Sequence, residues 1–189
     1  MLILTINDCE KLFNDNGWDT ISNENGVLNM EIPLCRGITS NDSKSFVGII
    51  LKIHRSGLYL TVHEDHTMRR LYVEYSEQFR EECKNKIIAV DFDGTLFSDQ
   101  WPNIGIPNLD IINYVRNKKA AGAKIILWTC RVGSRLDEAV AACKEYGLEF
   151  DAVNKNLPDI IAAFGLDCRK VFAHEYIDDR AVHVSNLFA

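Results

Sequence analysis

The pattern of apolar and polar positions divides the chain into two parts near residue 85. After that point, short uninterrupted apolar runs alternate with segments of helical periodicity. An apolar run without polar alternation is typical of a strand that is covered on both faces, as in a parallel sheet between helices. The pattern predicts four such strands, at 86–90, 124–129, 150–153 and 171–177.

Three helices are predicted between these strands. The first begins at Pro107–Asn108 and ends at Gly122. The second begins at Ser134, which forms a possible capping box with Asp137, and the third covers 158–164 with Pro158 in its first turn. Strands and helices that alternate in this order predict a Rossmann-like α/β domain with a parallel sheet, over residues 85–189.

The first 84 residues have a different pattern and predict a small α+β domain with a largely antiparallel sheet. This part resembles no family that we know. Its predicted elements are a helix around Leu12 that Asn7 or Asp8 caps, an edge strand at 27–34 that ends with Pro33, a polar turn-rich segment at 38–45, a hairpin of strands 46–54 and 58–63, a strand at 68–75 and a helix at 76–83 that Ser76 caps.

Composition and charge narrow the class of protein. The chain has 189 residues, of which 47% are hydrophobic and 25% charged, as in a globular protein. A net charge of −6 argues against non-specific binding to nucleic acid. Six scattered cysteines without Cys-x-x-Cys spacing indicate reduced thiols, and the absence of a signal peptide or long apolar run predicts a soluble cytoplasmic protein without membrane contact. His54, His63 and His66 fit no metal-ligand spacing and indicate a polar surface loop.

Polar side chains follow the predicted parallel strands where each strand ends. Because those ends meet at one edge of the sheet, the side chains are expected to lie close together. Crowded carboxylates favour a hard divalent cation such as Mg²⁺, and a carboxylate beside that cation can attack a phosphate. A second carboxyl group can move the proton, and a hydroxyl or ammonium group can hold the phosphoryl oxygens. The residues are Asp91, Asp93, Thr129, Arg131, Lys155, Asp178 and Asp179.

Three of these segments match known motifs. Residues 91–96, Asp-Phe-Asp-Gly-Thr-Leu, match the pattern Asp-x-Asp-x-Thr, 125–129 match an apolar strand that ends in Thr, and 176–179 match an apolar strand that ends in two acids. Together they resemble the haloacid dehalogenase-like (HAD) phosphohydrolase superfamily, and the similarity covers 86 to about 180. It is greatest to small bacterial and phage members of undefined substrate.

The resemblance implies a role for each residue of the motifs. Asp91 would be the nucleophile. Asp93 would be the general acid and base, and it would also contact the metal ion through its backbone carbonyl. Thr129 and Lys155 would hold the phosphoryl group. Asp178 and Asp179, with Asp91, would hold Mg²⁺.

Two assignments stay open. Lys155 and Lys170 both qualify as the phosphate-binding lysine, and Lys155 is favoured because Lys170 precedes the fourth strand. Arg131 and Arg180 each follow a motif, so each can contact the substrate or form an internal ion pair that orients the acids. Arg131 is predicted as a substrate contact, and Trp101 contacts either a ligand or the edge of the core.

The resemblance therefore implies a Mg²⁺-dependent phosphatase that acts on a small phosphorylated metabolite or a nucleotide. The gaps at 98–108 and 129–155 are too short for a cap domain, so the core is expected to be uncapped. Phosphoryl transfer to an acceptor other than water, and a homo-oligomer, are compatible with the same residues. The alternative is a binding or regulatory protein that uses the HAD core as a scaffold and its N-terminal domain for the interaction.

Overall fold

The computed structural model describes residues 4–24, 27–33, 39–55, 60–64 and 69–183. The chain divides into two compact units, Met1–Glu82 and Cys83–Ala189, two residues before the predicted boundary. One unit contains a four-stranded antiparallel sheet and the other a four-stranded parallel sheet. The predicted combination of the two sheet types is therefore confirmed.

Strands of the N-terminal unit are arranged in the order β1-β2-β4-β3, and each neighbouring pair is antiparallel. The predicted strand at 68–75 corresponds to β4, whose buried positions alternate as Leu71, Val73 and Tyr75. The elements are α1 (Ile6–Asn14), β1 (Asp19–Glu24), β2 (Val27–Glu31), α2 (Ser40–Arg55), β3 (Leu60–Glu64), β4 (Arg70–Tyr75) and α3 (Glu77–Cys83).

The predicted strand at 46–54 is wrong, because this segment belongs to helix α2. Its buried residues are Phe46, Ile49 and Ile53, a spacing that places them on one side of a helix. The polar turn-rich segment predicted at 38–45 is also wrong, because residues 40–45 form the first turns of α2. At its start, the Thr39 hydroxyl and backbone N–H both donate to Asp42 Oδ2, at 2.6 and 2.7 Å. The turn between the two strands of the predicted hairpin, at 55–57, lies outside the described residues except for Arg55, which belongs to α2.

Smaller corrections concern caps and edges in this unit. Thr5, and not Asn7 or Asp8, caps α1, through a capping box with Asp8. β2 pairs on both sides, with β1 and β4, so it is not an edge strand. β1 has a polar sequence without hydrophobic alternation, which is why the pattern did not predict it. The cap of α3 is confirmed, since Ser76 Oγ accepts the Phe79 N–H at 3.3 Å.

The C-terminal unit has the strand order β7-β6-β5-β8, and every neighbouring pair is parallel. All four residues of β5 are buried, as the unbroken apolar run predicted. Among the described residues, no helix combines the length and apolar character needed to cross a membrane. The elements are β5 (Ile87–Val90), α4 (Leu109–Ala120), β6 (Lys124–Leu127), α5 (Ser134–Glu145), β7 (Ala152–Val153), α6 (Pro158–Phe164) and β8 (Glu175–Ile177).

A predicted cap and several predicted strand lengths in this unit are wrong. Ser134 does not cap α5, because it is the first residue of the helix, and Gly133 occupies the N-cap position without a side-chain hydrogen bond. β6, β7 and β8 are each shorter than the strands predicted at 124–129, 150–153 and 171–177. Just before β8, His174 donates its backbone N–H to the Ile87 carbonyl and accepts the Ile87 N–H on Nδ1, both at 2.9 Å or less. The His174 ring thus takes the place of a backbone acceptor where the longer strand was expected.

Candidate functional site

Three carboxylates meet at the carboxyl ends of β5 and β8. Asp91 follows β5 directly, and Asp178 and Asp179 follow β8. One oxygen from each lies within 4.8 Å of the others. The parallel pairing of β5 with β8 causes this proximity, and the Asp91 N–H extends it by donating to the Ile177 carbonyl at 2.9 Å. The two predicted metal-ligand segments are therefore adjacent.

The turn after β5 positions Asp179. Buried Thr95 accepts the Asp179 N–H on its hydroxyl oxygen at 2.9 Å. Gly94 has a φ of +81° and lies against the Asp179 carboxylate so closely that a Cβ at this position would overlap it. Gly94 and Thr95 of the first motif therefore position Asp179, a role that the motif pattern alone does not show.

Burial raises the pKa of Asp91, and repulsion from Asp178 and Asp93 acts in the same direction. Hydrogen bonds from the Phe92 N–H and the Thr129 hydroxyl oppose this shift. The predicted nucleophile is therefore a carboxylate whose charge is poorly compensated by the protein alone. A cation beside it would favour the ionised form.

Asn154 holds the turn that carries Thr129, and the sequence did not predict this role. Its side-chain oxygen accepts the Thr129 N–H at 2.8 Å, and its side-chain nitrogen donates to the Arg131 carbonyl at 3.1 Å. Asn154 adopts a left-handed conformation, with a φ of 50°. Asparagine tolerates this conformation better than most residues, so its place directly after a predicted strand was the available signal.

Arg131 forms an internal ion pair with Asp93. Its Nε donates to Oδ2 at 2.8 Å and its Nη2 donates to Oδ1 at 2.6 Å. The Arg131 side chain has no solvent-exposed area, whereas Asp93 keeps 19% exposure. The predicted contact between Arg131 and substrate is therefore wrong, because the guanidinium is buried and bound to an acid of the site. The internal ion pair, which was the alternative, is what forms.

The same guanidinium contacts the 98–107 loop, the segment that connects the first motif to α4. Its Nη1 donates to the Pro102 carbonyl at 3.2 Å and its Nη2 to the Asn103 carbonyl at 2.8 Å. The ring centroids of Phe92 and Trp101 lie 4.7 and 5.2 Å from the guanidinium carbon. Trp101 is 58% exposed, so it packs on Arg131 and still presents surface to solvent.

A cavity of about 200 Å³ opens between the first two motifs and the 98–107 loop. Arg180 at its rim donates to Asp99 at 3.0 Å, and its Nε lies 3.8 Å from Asp179. Cys130 also borders this cavity and is exposed. The lining residues are Asp91, Asp93, Asp99, Trp101, Thr129, Cys130 and Arg180.

The two candidate lysines lie in different places. Lys155 is exposed on the turn after β7, at the same edge of the sheet as the acids, and its charge contributes to the lowered pKa of Asp167, whose main cause is hydrogen bonding to Asn156. Lys170 lines a second cavity, of about 720 Å³, that Asp91 and Asp178 also line. Its ammonium nitrogen lies 5.2 Å from the Tyr176 ring centroid. Position alone does not decide between them.

Comparison with known proteins gives one solved structure to report. No protein-family model matches the chain, and no curated protein matches it. The solved structure is described as that of a conserved protein from Bacteroides thetaiotaomicron, with 39% sequence identity and a TM-score of 0.46. The match covers 51% of this chain and 78% of that one, and the description names no activity.

Proposed function

We propose that the C-terminal unit is a HAD-like, Mg²⁺-dependent phosphatase that hydrolyses a phosphate monoester through an aspartyl-phosphate. The observation that carries this proposal is the cluster of Asp91, Asp178 and Asp179, whose oxygens lie within 4.8 Å of one another. Asp93 and Thr129 line the same small cavity as Asp91. The cluster therefore stands beside an acid and a hydroxyl that phosphoryl transfer can use.

The donor set fits a hard divalent cation. The three carboxylates of the cluster repel one another, so a cation between them is favourable. Their donor atoms are all oxygens, the ligands that Mg²⁺ prefers. Asp91, Asp178 and Asp179 would hold the ion, together with the backbone carbonyl of Asp93. When bound, Mg²⁺ would offset the negative charge of the acids and of the substrate phosphate.

Asp91 acts first. One of its oxygens forms a bond to phosphorus while the bond between phosphorus and the leaving oxygen breaks, and Asp93, which enters this step in its protonated form when the leaving group is a poor one, gives that oxygen a proton. The Asp93 carboxylate then takes a proton from water, whose oxygen attacks phosphorus as the bond to Asp91 breaks. Phosphate leaves, and both acids return to their starting state. The Thr129 hydroxyl donates its single proton to Asp91 in the free site, and we expect it to turn to a phosphoryl oxygen when substrate binds.

The test of this function is the hydrolysis of p-nitrophenyl phosphate by the full chain with and without Mg²⁺. We expect turnover with Mg²⁺ and its loss in EDTA, with recovery when Mg²⁺ is added back, because the acids need a counter-charge. Equal rates in both conditions would contradict a Mg²⁺-dependent mechanism. No turnover of a panel of phosphate esters in either condition would favour a binding or regulatory function.

We predict that Lys155 is the phosphate-binding lysine. It lies two strands from β5, about 10 Å across the sheet, a distance that the long Lys155 side chain and a phosphoryl group on Asp91 together can bridge. Lys155→Ala is expected to lower kcat/KM about 10²-fold, as for loss of a charge-stabilising donor. Lys170→Ala is measured beside it, and a larger loss there would reverse the assignment. Lys144→Ala, on the exposed side of α5, is the control.

A further inference from the structure

Arg131 joins two segments of the C-terminal unit through one buried charge. On one side it binds both oxygens of Asp93, and on the other it binds the carbonyls of Pro102 and Asn103. The three groups belong to the turn after β5 and to the 98–107 loop. The guanidinium therefore fixes the distance between the acid and the loop.

The contacts of residue 131 with Asp93 and with the 98–107 loop require an arginine. Its planar fork presents donors in fixed directions, so that one group can bind a carboxylate with two parallel bonds and still reach two carbonyls. The Phe92 and Trp101 rings, 4.7 and 5.2 Å from the guanidinium carbon, add cation–π contacts. Lysine would keep the charge, but its single ammonium cannot make the two-point contact with Asp93 that sets the orientation of the carboxylate.

We propose that Arg131 is a positioning residue that holds Asp93 and the 98–107 loop as one rigid part of the site. Arg131 acts through Asp93, since it is itself buried and lines neither cavity described above. The inference rests on the proposed function, because it assigns Arg131 to the step in which Asp93 removes a proton from water. The orientation of the Asp93 carboxylate then limits how fast the aspartyl-phosphate is hydrolysed.

With a substrate that has a good leaving group, hydrolysis of the aspartyl-phosphate can be measured separately from its formation. p-Nitrophenolate leaves as an anion and takes no proton from Asp93, so with this substrate Asp93 enters the reaction as the carboxylate that Arg131 binds. Formation of the aspartyl-phosphate therefore depends weakly on Asp93. Hydrolysis of that intermediate requires the base. When only the second step slows, the first turnover appears as a rapid burst of p-nitrophenolate.

The experiment compares wild type with Arg131→Lys in stopped-flow assays with p-nitrophenyl phosphate and Mg²⁺. We expect R131K to give a burst of about one equivalent at a rate within a few-fold of the first turnover of wild type, followed by a steady state about 10²-fold slower. Arg135→Lys, at a partly exposed arginine at the start of α5 that pairs with Glu138, is the control and should keep both rates.

A burst and a steady state that slow together in R131K would overturn the proposal, because a merely structural role damages both steps alike. An unchanged steady state would overturn it as well. Arg131→Gln is the second variant if R131K fails to fold, with the same expected split between the two steps. Amide exchange in the 98–107 loop is a second readout, and it is expected to become faster in either variant.

Failure of the proposed function is recognised separately. If wild type shows no Asp91-dependent turnover, the phosphatase assignment fails and the catalytic part of the inference fails with it. The proposed link between Arg131 and the 98–107 loop is then tested by amide exchange, which needs no substrate. Faster exchange in the 98–107 loop of R131K supports the link between Arg131 and the loop, and unchanged exchange overturns it.

Discussion

Replacing Asp91 with asparagine is expected to abolish turnover of p-nitrophenyl phosphate while leaving the protein at least as stable as wild type. An amide oxygen of nearly the same shape is a poor nucleophile, so we expect kcat to fall on the order of 10⁴-fold or more. Burial, Asp178 and Asp93 all raise the pKa of Asp91, which means that the folded protein disfavours its charge. Removing that charge without metal should therefore not lower the melting temperature.

The measurement pairs a turnover assay in Mg²⁺ with thermal unfolding in EDTA. Asp159→Asn, an exposed acid in the first turn of α6, provides the matched control and should change neither quantity appreciably. A rate in D91N close to that of wild type would contradict the assignment of the nucleophile. A large drop in melting temperature would instead show that Asp91 supports the fold.

Gly94→Ala is the second change with a large expected effect. Gly94 has a φ of +81°, and the added Cβ would overlap the Asp179 carboxylate, so the variant strains the backbone and displaces a predicted metal ligand. We expect a loss of about 1–3 kcal/mol in the free energy of unfolding and a marked rise in the Mg²⁺ concentration needed for half-maximal activity. Denaturant unfolding and a Mg²⁺ titration of the rate measure the two effects.

Gly165→Ala separates strain from the clash with Asp179. Gly165 has a similar φ of +76° at the end of α6, but an added Cβ would meet no atom within 4 Å. This control should lose stability without a change in its Mg²⁺ requirement. If G94A and G165A had the same Mg²⁺ requirement, the close packing of Gly94 on Asp179 would have no functional consequence.

The parallel sheet could be predicted because its signals are local. β5 is an unbroken apolar run that ends in acids, and the strand order β7-β6-β5-β8 brings the ends of β5 and β8 together. Asp91, Asp178 and Asp179 therefore lie close to one another, as the motif positions predicted. Their binding of Mg²⁺ stays a prediction.

Other features depend on contacts between distant residues and could not be predicted from local patterns. The apolar run at 46–54 has the composition of a strand, and its helical form depends on burial of one side against the N-terminal unit. Arg131 stands two residues after Thr129, but the sequence does not show whether its guanidinium points inward. The contacts with Asp93 and the 98–107 loop decide this, and likewise the role of Asn154 depends on a turn 25 residues away.

Because β8 lies at the edge of the sheet, local unfolding of this strand is expected to disrupt the candidate site before the rest of the unit unfolds. β8 has three residues and, in the part of the chain that the structure describes, pairs with β5 alone. Glu175 also links β8 to α4 through Lys118 and Tyr114, at 2.8 and 3.0 Å. Local opening of this strand would separate Asp178 and Asp179 from Asp91 and leave β5 and β6 paired. Mild denaturation should thus inactivate the protein before it unfolds, and any ligand that bridges the three acids would hold the last strand in place.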